Sequence, residues 1–259
     1  MPICIKFVIV FLCPFYIMKI LSQADLEHAV ETYGILPFFR NEVRGLSIEE
    51  MSPPSLLFGG NAFDGCWEWK GPVVRKRRSA YGKFFGKKAG FISLTLLPHF
   101  INFRRSIFHV PDGSTDEMLL DIISVNDKIS STELRESIFC SDFSKKRTAF
   151  DPPSLYNGFS KKINPGDKNS SRHSLEGPLQ RLQMGAHLYI SDFRYKITKR
   201  GERYGWGVAD YSIPENIFPS EVFSSGLSPL DSLDFMVDYI SERWTLSEKN
   251  LIRSLLTRK

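Results

Sequence analysis

Leu188-Tyr189-Ile190-Ser191-Asp192-Phe193-Arg194-Tyr195-Lys196-Ile197, Lys199-Arg200-Gly201-Glu202-Arg203 and Tyr204-Gly205-Trp206-Gly207-Val208-Ala209-Asp210-Tyr211 together decide the fold. Residues 186–197 alternate, with Leu188, Ile190, Phe193 and Tyr195 as the apolar members. The glycine-centred basic turn then returns the chain along 204–211 as a partner strand. Just before it, residues 175–184 read as a helix bearing Gln180, Arg181 and Gln183. A helix followed by a hairpin with a cationic tip is the third helix and wing of a winged helix. Such a helix enters the major groove while the wing tip grips phosphate or the minor groove. A plain surface hairpin in another α+β protein is the alternative.

Upstream, the same order of elements begins to appear. Residues 115–124 place Met118, Leu119, Ile122 and Ile123 on one helical face. Ile129 then precedes Ser130-Ser131-Thr132-Glu133-Leu134, a hydroxyl-capped start to a helix reaching about residue 139. In this arrangement Ile129 plugs a core and Leu134 packs under the third helix. Between residues 140 and 176 periodicity is lost, and Lys145-Lys146-Arg147, Asp151-Pro152-Pro153 and Asn164-Pro165-Gly166 mark an irregular insertion, best read as a mobile loop.

An earlier unit has a similar sequence. Ser22 caps a helix with Leu26, Ala29, Val30 and Tyr33 at helical spacing, and Gly34 ends it. Ser47-Ile48-Glu49-Glu50 is a capping box, and Met51-Ser52-Pro53-Pro54 interrupts the helix it starts. Residues 67–74, 81–85 and 89–93 are rich in aromatic and β-branched residues and read as strands. Every charged residue from Lys70 to Lys88 is basic, with aromatics interleaved: cations for phosphate beside rings for bases. A solvated hairpin with core-facing aromatics is the alternative. Trp67, Trp69 and Trp206 are core or stacking residues on these readings. Beyond Pro214, helices are expected over 229–243 and 246–257, with Ser228 and Ser247 in or near capping positions, packing across the preceding domain.

The expected class is thus α+β, with tandem winged-helix-like units at 18–110 and 111–213, an irregular insertion at 141–174 and a helical tail at 214–259. The 259 residues, 42% hydrophobic and 24% charged, are enough for a real core and exclude wholesale disorder. The net charge of +5 is modest but concentrated. Expected DNA-binding residues are Arg75, Lys76, Arg77, Arg78, Lys83, Gln180, Arg181, Lys199, Arg200 and Arg203, with double-stranded DNA as the partner. Cys4, Cys13, Cys66 and Cys140 show no metal spacing and the five histidines stand singly, so no metal, cofactor or disulfide framework is expected. His187 has no assigned role. A cytoplasmic location fits. The apolar residues 1–17 are an upstream extension before Met18, or a signal peptide, against which Pro14 and Lys19 count, or last, because the run is short for a bilayer, a membrane anchor.

Several runs resemble a group of bacterial proteins related to the AlkZ alkylpurine DNA glycosylases. They are Gly45 to Glu50, Trp67 to Pro72, Ala80 to Phe85, Lys88 to Ser93, Asn102-Phe103-Arg104-Arg105, Arg181-Leu182-Gln183-Met184, Ile190 to Phe193 and Tyr204 to Ala209. The resemblance implies tandem winged helices and hydrolysis of the glycosidic bond of alkylated or crosslinked purines. It also implies a pair of glutamines flanking one apolar residue, which positions water and supports the charge developing on the sugar. Gln183-Met184-Gly185 supplies the first glutamine, with glycine in place of the second. The insertion at 140–176 is longer than the short basic turn usual in the group. Among carboxylates near a sugar and its water, Glu68 and Asp192 are candidates, or are ordinary hydrogen-bonded strand residues. A non-catalytic winged-helix regulator, and an RNA-binding or protein-interaction module, are the other functions compatible with the sequence.

Overall fold

The computed structural model describes residues 18–59, 64–145, 170–201 and 203–259; residues 1–17 and the middle of the insertion lie outside these. Two units of similar element order make up most of the α+β chain, with two short helices in the first where the second has one longer helix. In the first, α1 (Gln23–Tyr33), β1 (Ile35–Pro37), α2 (Ile48–Met51), α3 (Pro54–Leu57) and α4 (Cys66–Arg75) precede the hairpin β2 (Ser79–Phe85) and β3 (Lys88–Ser93). The linking helix α5 (Leu97–Ile107) follows. In the second, α6 (Thr115–Ser124), β4 (Ile129–Ser130), α7 (Ser131–Lys145) and α8 (Ser170–Met184) precede β5 (Tyr189–Ile197) and β6 (Arg203–Ser212). Both sheets are antiparallel and have the hairpin's second strand in the centre: β1-β3-β2 and β4-β6-β5. The short α9 (Pro214–Ile217), then α10 (Pro229–Arg243) and α11 (Lys249–Thr257), complete the chain.

Local chemistry sets several boundaries. The Ser22 hydroxyl accepts from the Asp25 N–H at 3.2 Å, and α1 stops at Gly34, whose φ of +80° suits glycine. A Cβ there would lie 2.5 Å from Leu96 Cδ1, so close packing also requires the glycine. Half of the expected capping box forms at Ser47: its Oγ accepts from the Glu50 N–H at 3.2 Å, and its hydroxyl, rather than its backbone N–H, donates to the Glu50 carboxylate at 2.6 Å. Ser228 caps α10, accepting from the Asp231 N–H. At α11, Glu248 rather than Ser247 holds the capping position, and the helix starts three residues later than expected.

Residues 67–74 are a helix, not the expected strand. Trp67, Trp69, Val73 and Val74 suggest a strand by propensity, but the buried positions Cys66, Trp69, Lys70, Val73 and Val74 fall at helical spacing. Pro72 lies inside α4 and Pro178 inside α8, each preceded by glycine. Glycine lacks the Cβ that clashes with a following proline ring, which lets the chain stay helical into each proline. The third helices of the two units thus share a Gly-Pro step.

The ends of the insertion also differ from expectation. Helix α7 continues to Lys145 and α8 begins at Ser170. At the other end of α8, the His187 and Ala186 N–H groups donate to the carbonyls of Leu182 and Gln183, with Ala186 at φ +57°. This is a Schellman-type stop, and it delays β5 to Tyr189.

The two units pack reciprocally: α4 lies against β5, α8 against β2, and β2 meets β5 between them. Tyr81 packs edge-on to Phe193 at 5.9 Å and Phe84 to Tyr189 at 5.3 Å across this junction. A second core holds Ile129 and Leu134 against Leu175, Leu179 and Leu182 of α8, as the sequence suggests. The tail helix α10 packs on α5, burying Leu233, Met236, Val237 and Ile240 in the first unit's core.

Helix α5, unassigned from sequence, carries Arg104, a fully buried arginine. Its guanidinium donates to the carbonyls of Met184 at 2.6 Å, Leu256 at 3.0 Å, Arg258 at 2.9 Å and Phe84 at 3.4 Å. Burial lowers its pKa to about 10, which leaves it charged at neutral pH. The ends of α8 and α11 supply three of these carbonyls, where the helix dipole places partial negative charge. Arg104→Leu is expected to destabilise the protein by about 3 kcal/mol or more in urea unfolding, because several buried carbonyls lose their donor. An unchanged midpoint would show that those carbonyls find other partners.

Candidate nucleic-acid interface

The tip of the β5–β6 hairpin is exposed to solvent. Its turn closes through the Gly201 N–H donating to the Thr198 carbonyl at 3.0 Å, with Gly201 at φ +83°. Lys196, Lys199, Arg200, Arg203 and Tyr204 are exposed. Among the described residues, Lys196, Lys199 and Arg200 have no ion-pair partner. The Arg203 guanidinium lies 5.2 Å from the centre of the Tyr195 ring. At the hairpin's root, Arg194 bridges Asp210 and Glu133. That contact, with N–H and hydroxyl groups of Ser130, holds Glu133 down to about 2.

The basic run in the first unit is largely compensated within the fold. Arg75 pairs with Asp192 at 2.9 Å, Lys76 with Glu27 at 2.7 Å, Arg78 with Glu31 at 2.9 Å and Lys83 with Glu176 at 3.8 Å. Lys88 donates to the Arg40 carbonyl. Arg77 is exposed without an ion pair among the described residues, at φ +55°, a left-handed conformation that costs an arginine about 1 kcal/mol. Exposed pairs contribute little to stability, but they do reduce the net field such a patch projects.

Helix α8 is enclosed on two sides, by α6 and by β2. Gln180 is half-buried, and Arg181, though exposed, forms a two-pronged pair with Asp116 at 3.0 and 2.7 Å that raises its pKa. Gln183 is 1% exposed and both ends of its amide are engaged: Nε2 donates to the Leu179 carbonyl at 2.9 Å and Oε1 accepts from the Lys83 N–H at 3.1 Å. Of the carboxylates, Asp192 takes Arg75, Lys128 and the Phe193 N–H. Burial acts to raise its pKa, but these partners outweigh it and leave the pKa lowered. Glu68 lies in the first turn of α4. His187 sits 2.8 Å from the Phe108 carbonyl, and burial pulls its pKa down. Among the described residues, no group of three or more His, Cys, Asp or Glu side chains could hold a metal ion.

The profile of the family described as AlkZ related matches residues 20–257, nearly the whole chain. The protein belongs to the AlkZ-related family. No curated protein and no solved structure matches the chain. In this family member Gly185 directly follows the last residue of α8. A Cβ at Gly185 would lie 2.9 Å from Phe108 Cβ and 2.6 Å from the His187 ring, so a larger side chain requires the end of α8 to move. In this AlkZ-related chain the triplet 183–185 ends a helix and joins it to the neighbouring unit.

Sequence reasoning missed the strongest polar anomaly, Lys70, which is only 2% exposed. Its ammonium lies 3.2 Å from the centre of the Trp67 ring and 4.7 Å from that of Phe193. Trp67 and Lys70 are three apart, so they share a face only once the segment is recognised as a helix. Trp69 is core and donates to Asp64 at 2.6 Å, whereas Trp206 is 70% exposed. No helix among the described residues is long and apolar enough to cross a membrane.

Burial lowers the Lys70 pKa to about 7, with Glu68 pulling the other way. A lysine with a lower pKa folded than unfolded binds fewer protons in the native state between about pH 7 and its ordinary value near 10.4. Stability from this group therefore rises with pH through that window, and its full cost is carried below it. Lys70→Met is expected to raise the thermal midpoint near pH 6.5, with a smaller gain near pH 9.5, in parallel melts. Equal gains at both pH values would contradict a suppressed ammonium.

Proposed function

We propose that this protein is a tandem winged-helix protein that binds double-stranded DNA, with the β5–β6 hairpin as its principal phosphate contact. The observation that carries the reading is the hairpin tip, where Lys196, Lys199 and Arg200 are exposed without ion-pair partners among the described residues, beside Arg203. Counterion release by such cations drives association with a polyanion. Topology supports the fold assignment: in both units a helix, a short strand and further helices, three in the first and two in the second, lead into a hairpin, each sheet having its second hairpin strand in the centre. Membership of the AlkZ-related family is in keeping with a role in repair of alkylated DNA, for which cleavage of the glycosidic bond is the reaction proposed.

A second reading, DNA binding without catalysis, is favoured by a specific observation. The Gln183 amide is occupied by backbone partners, and Gly185 is packed where a second glutamine has no room. Water positioning through this triplet would require the end of α8 to rearrange.

Reversing charge with Lys199→Glu and Arg200→Glu together is expected to weaken duplex binding by roughly tenfold or more. It should also lower the slope of log affinity against log salt by about 1.8, or 0.9 for each phosphate contact. Lys76→Ala and Arg78→Ala, whose partners are Glu27 and Glu31, should change affinity less than about threefold. Parental binding by the hairpin variant would overturn the assignment of the DNA surface. Single-turnover release of base from duplex carrying N7-methylguanine separates the two readings. Release above a protein-free control supports the glycosylase, while none, with salt-sensitive binding intact, supports the binder.

A further inference from the structure

Where α4 meets the second unit's hairpin, a set of aromatic rings reaches the surface. Trp67 is half-buried and fixed from behind, edge-on to Phe38 at 5.2 Å and with the Lys70 ammonium over its face. Two outward rings lean on it: Phe58 at 5.8 Å and 51° to its plane, and Trp206 at 5.7 Å and 88°. Phe58 is 51% exposed and Trp206 is 70% exposed, so both present large apolar faces to solvent. Their burial elsewhere would be favourable, yet each is held out from a different unit.

The backbone around Trp206 keeps space open beside it. Gly205 has φ +73°, and a Cβ built there meets no other atom within 4 Å. Gly207 passes close to Tyr195, where a Cβ would lie 2.8 Å from the ring. The glycines flanking Trp206 thus leave free space on one side and bring the strand close to Tyr195 on the other. Charge bears on what fills that space. The hairpin that carries Trp206 also carries Arg203, Lys199 and Arg200, all exposed. A flat ring beside cations suits a heterocycle attached to phosphate better than an apolar peptide side chain or a neutral sugar. Bases within a perfect duplex have their faces covered by their neighbours, so the occupant must be unstacked.

We infer that Trp206, Trp67 and Phe58 form a stacking site for an unpaired nucleobase, so that the protein prefers DNA with a base extruded from the helix. This rests on the DNA-binding reading above and adds to it the structural class of DNA recognised. Trp67 is preorganised by its partners, and Trp206, on the hairpin that grips phosphate, closes over the base.

The test measures affinity by fluorescence anisotropy at one salt concentration for a perfectly paired duplex and for the same duplex with a single-base bulge. The full chain is compared with Trp206→Ala, Phe58→Ala and Trp206→Phe, each checked by thermal melting. The parent is expected to bind the bulged duplex more tightly. Trp206→Ala should lose roughly 5- to 150-fold on the bulged duplex, the range of one stacked base, and stay within about twofold on the paired one. Trp206→Phe should retain most of the preference. Equal binding to both duplexes, unchanged by Trp206→Ala, would overturn the stacking site while leaving DNA binding intact. Failure of the parent to bind either duplex would overturn both readings.

Discussion

The buried guanidinium of Arg104 is the contact on which the arrangement of the chain depends. A charge with no exposure needs compensation, and here it comes from four backbone carbonyls on three segments rather than from a carboxylate. Arginine suits the position because its planar fork directs several donors in fixed directions, and its charge survives a lowered pKa. One side chain thus fixes the end of α8, the end of α11 and strand β2 around α5. Arg105, its neighbour, adds a bond to the Ala186 carbonyl and a pair with Glu215.

Around that point the two units use each other as core. The third helix of each lies against the first hairpin strand of the other, so surfaces that a solitary unit would leave wet are covered. The same arrangement divides labour between the cations. Arg75, Lys76 and Arg78 are drawn into ion pairs with β5 and α1, while Lys196, Lys199 and Arg200 of the β5–β6 hairpin are exposed without an ion pair among the described residues. The site is therefore composite: rings from the first unit, a ring and cations from the second.

What the sequence made legible was local. Capping at Ser22, Ser47 and Ser228 involves residues three apart, and the β5–β6 hairpin carries its own alternation and turn glycine. Helix α4 was misread because tryptophan and valine favour strands, while the burial that made it a helix depends on β5, more than a hundred residues away. Helix α5 was invisible because a buried arginine interrupts its apolar face and only tertiary partners explain it. The basic run looked like a free phosphate surface because Glu27, Glu31 and Asp192, which neutralise it, are remote in sequence. Gln183 could be singled out by resemblance, but its hydrogen bond to the Lys83 backbone, 100 residues distant, was beyond any local pattern.

The reach of Arg104 also has a bearing on synthesis. Its carbonyl partner at Arg258 lies 154 residues downstream. At typical translation rates, roughly 8–30 s separate the appearance of that arginine from the appearance of its acceptor. During that interval the Phe84 carbonyl is already present and the Met184 carbonyl appears partway, but those of Leu256 and Arg258 have not yet been made. The amino-terminal unit, first to leave the ribosome, is thus among the last to reach its final packing.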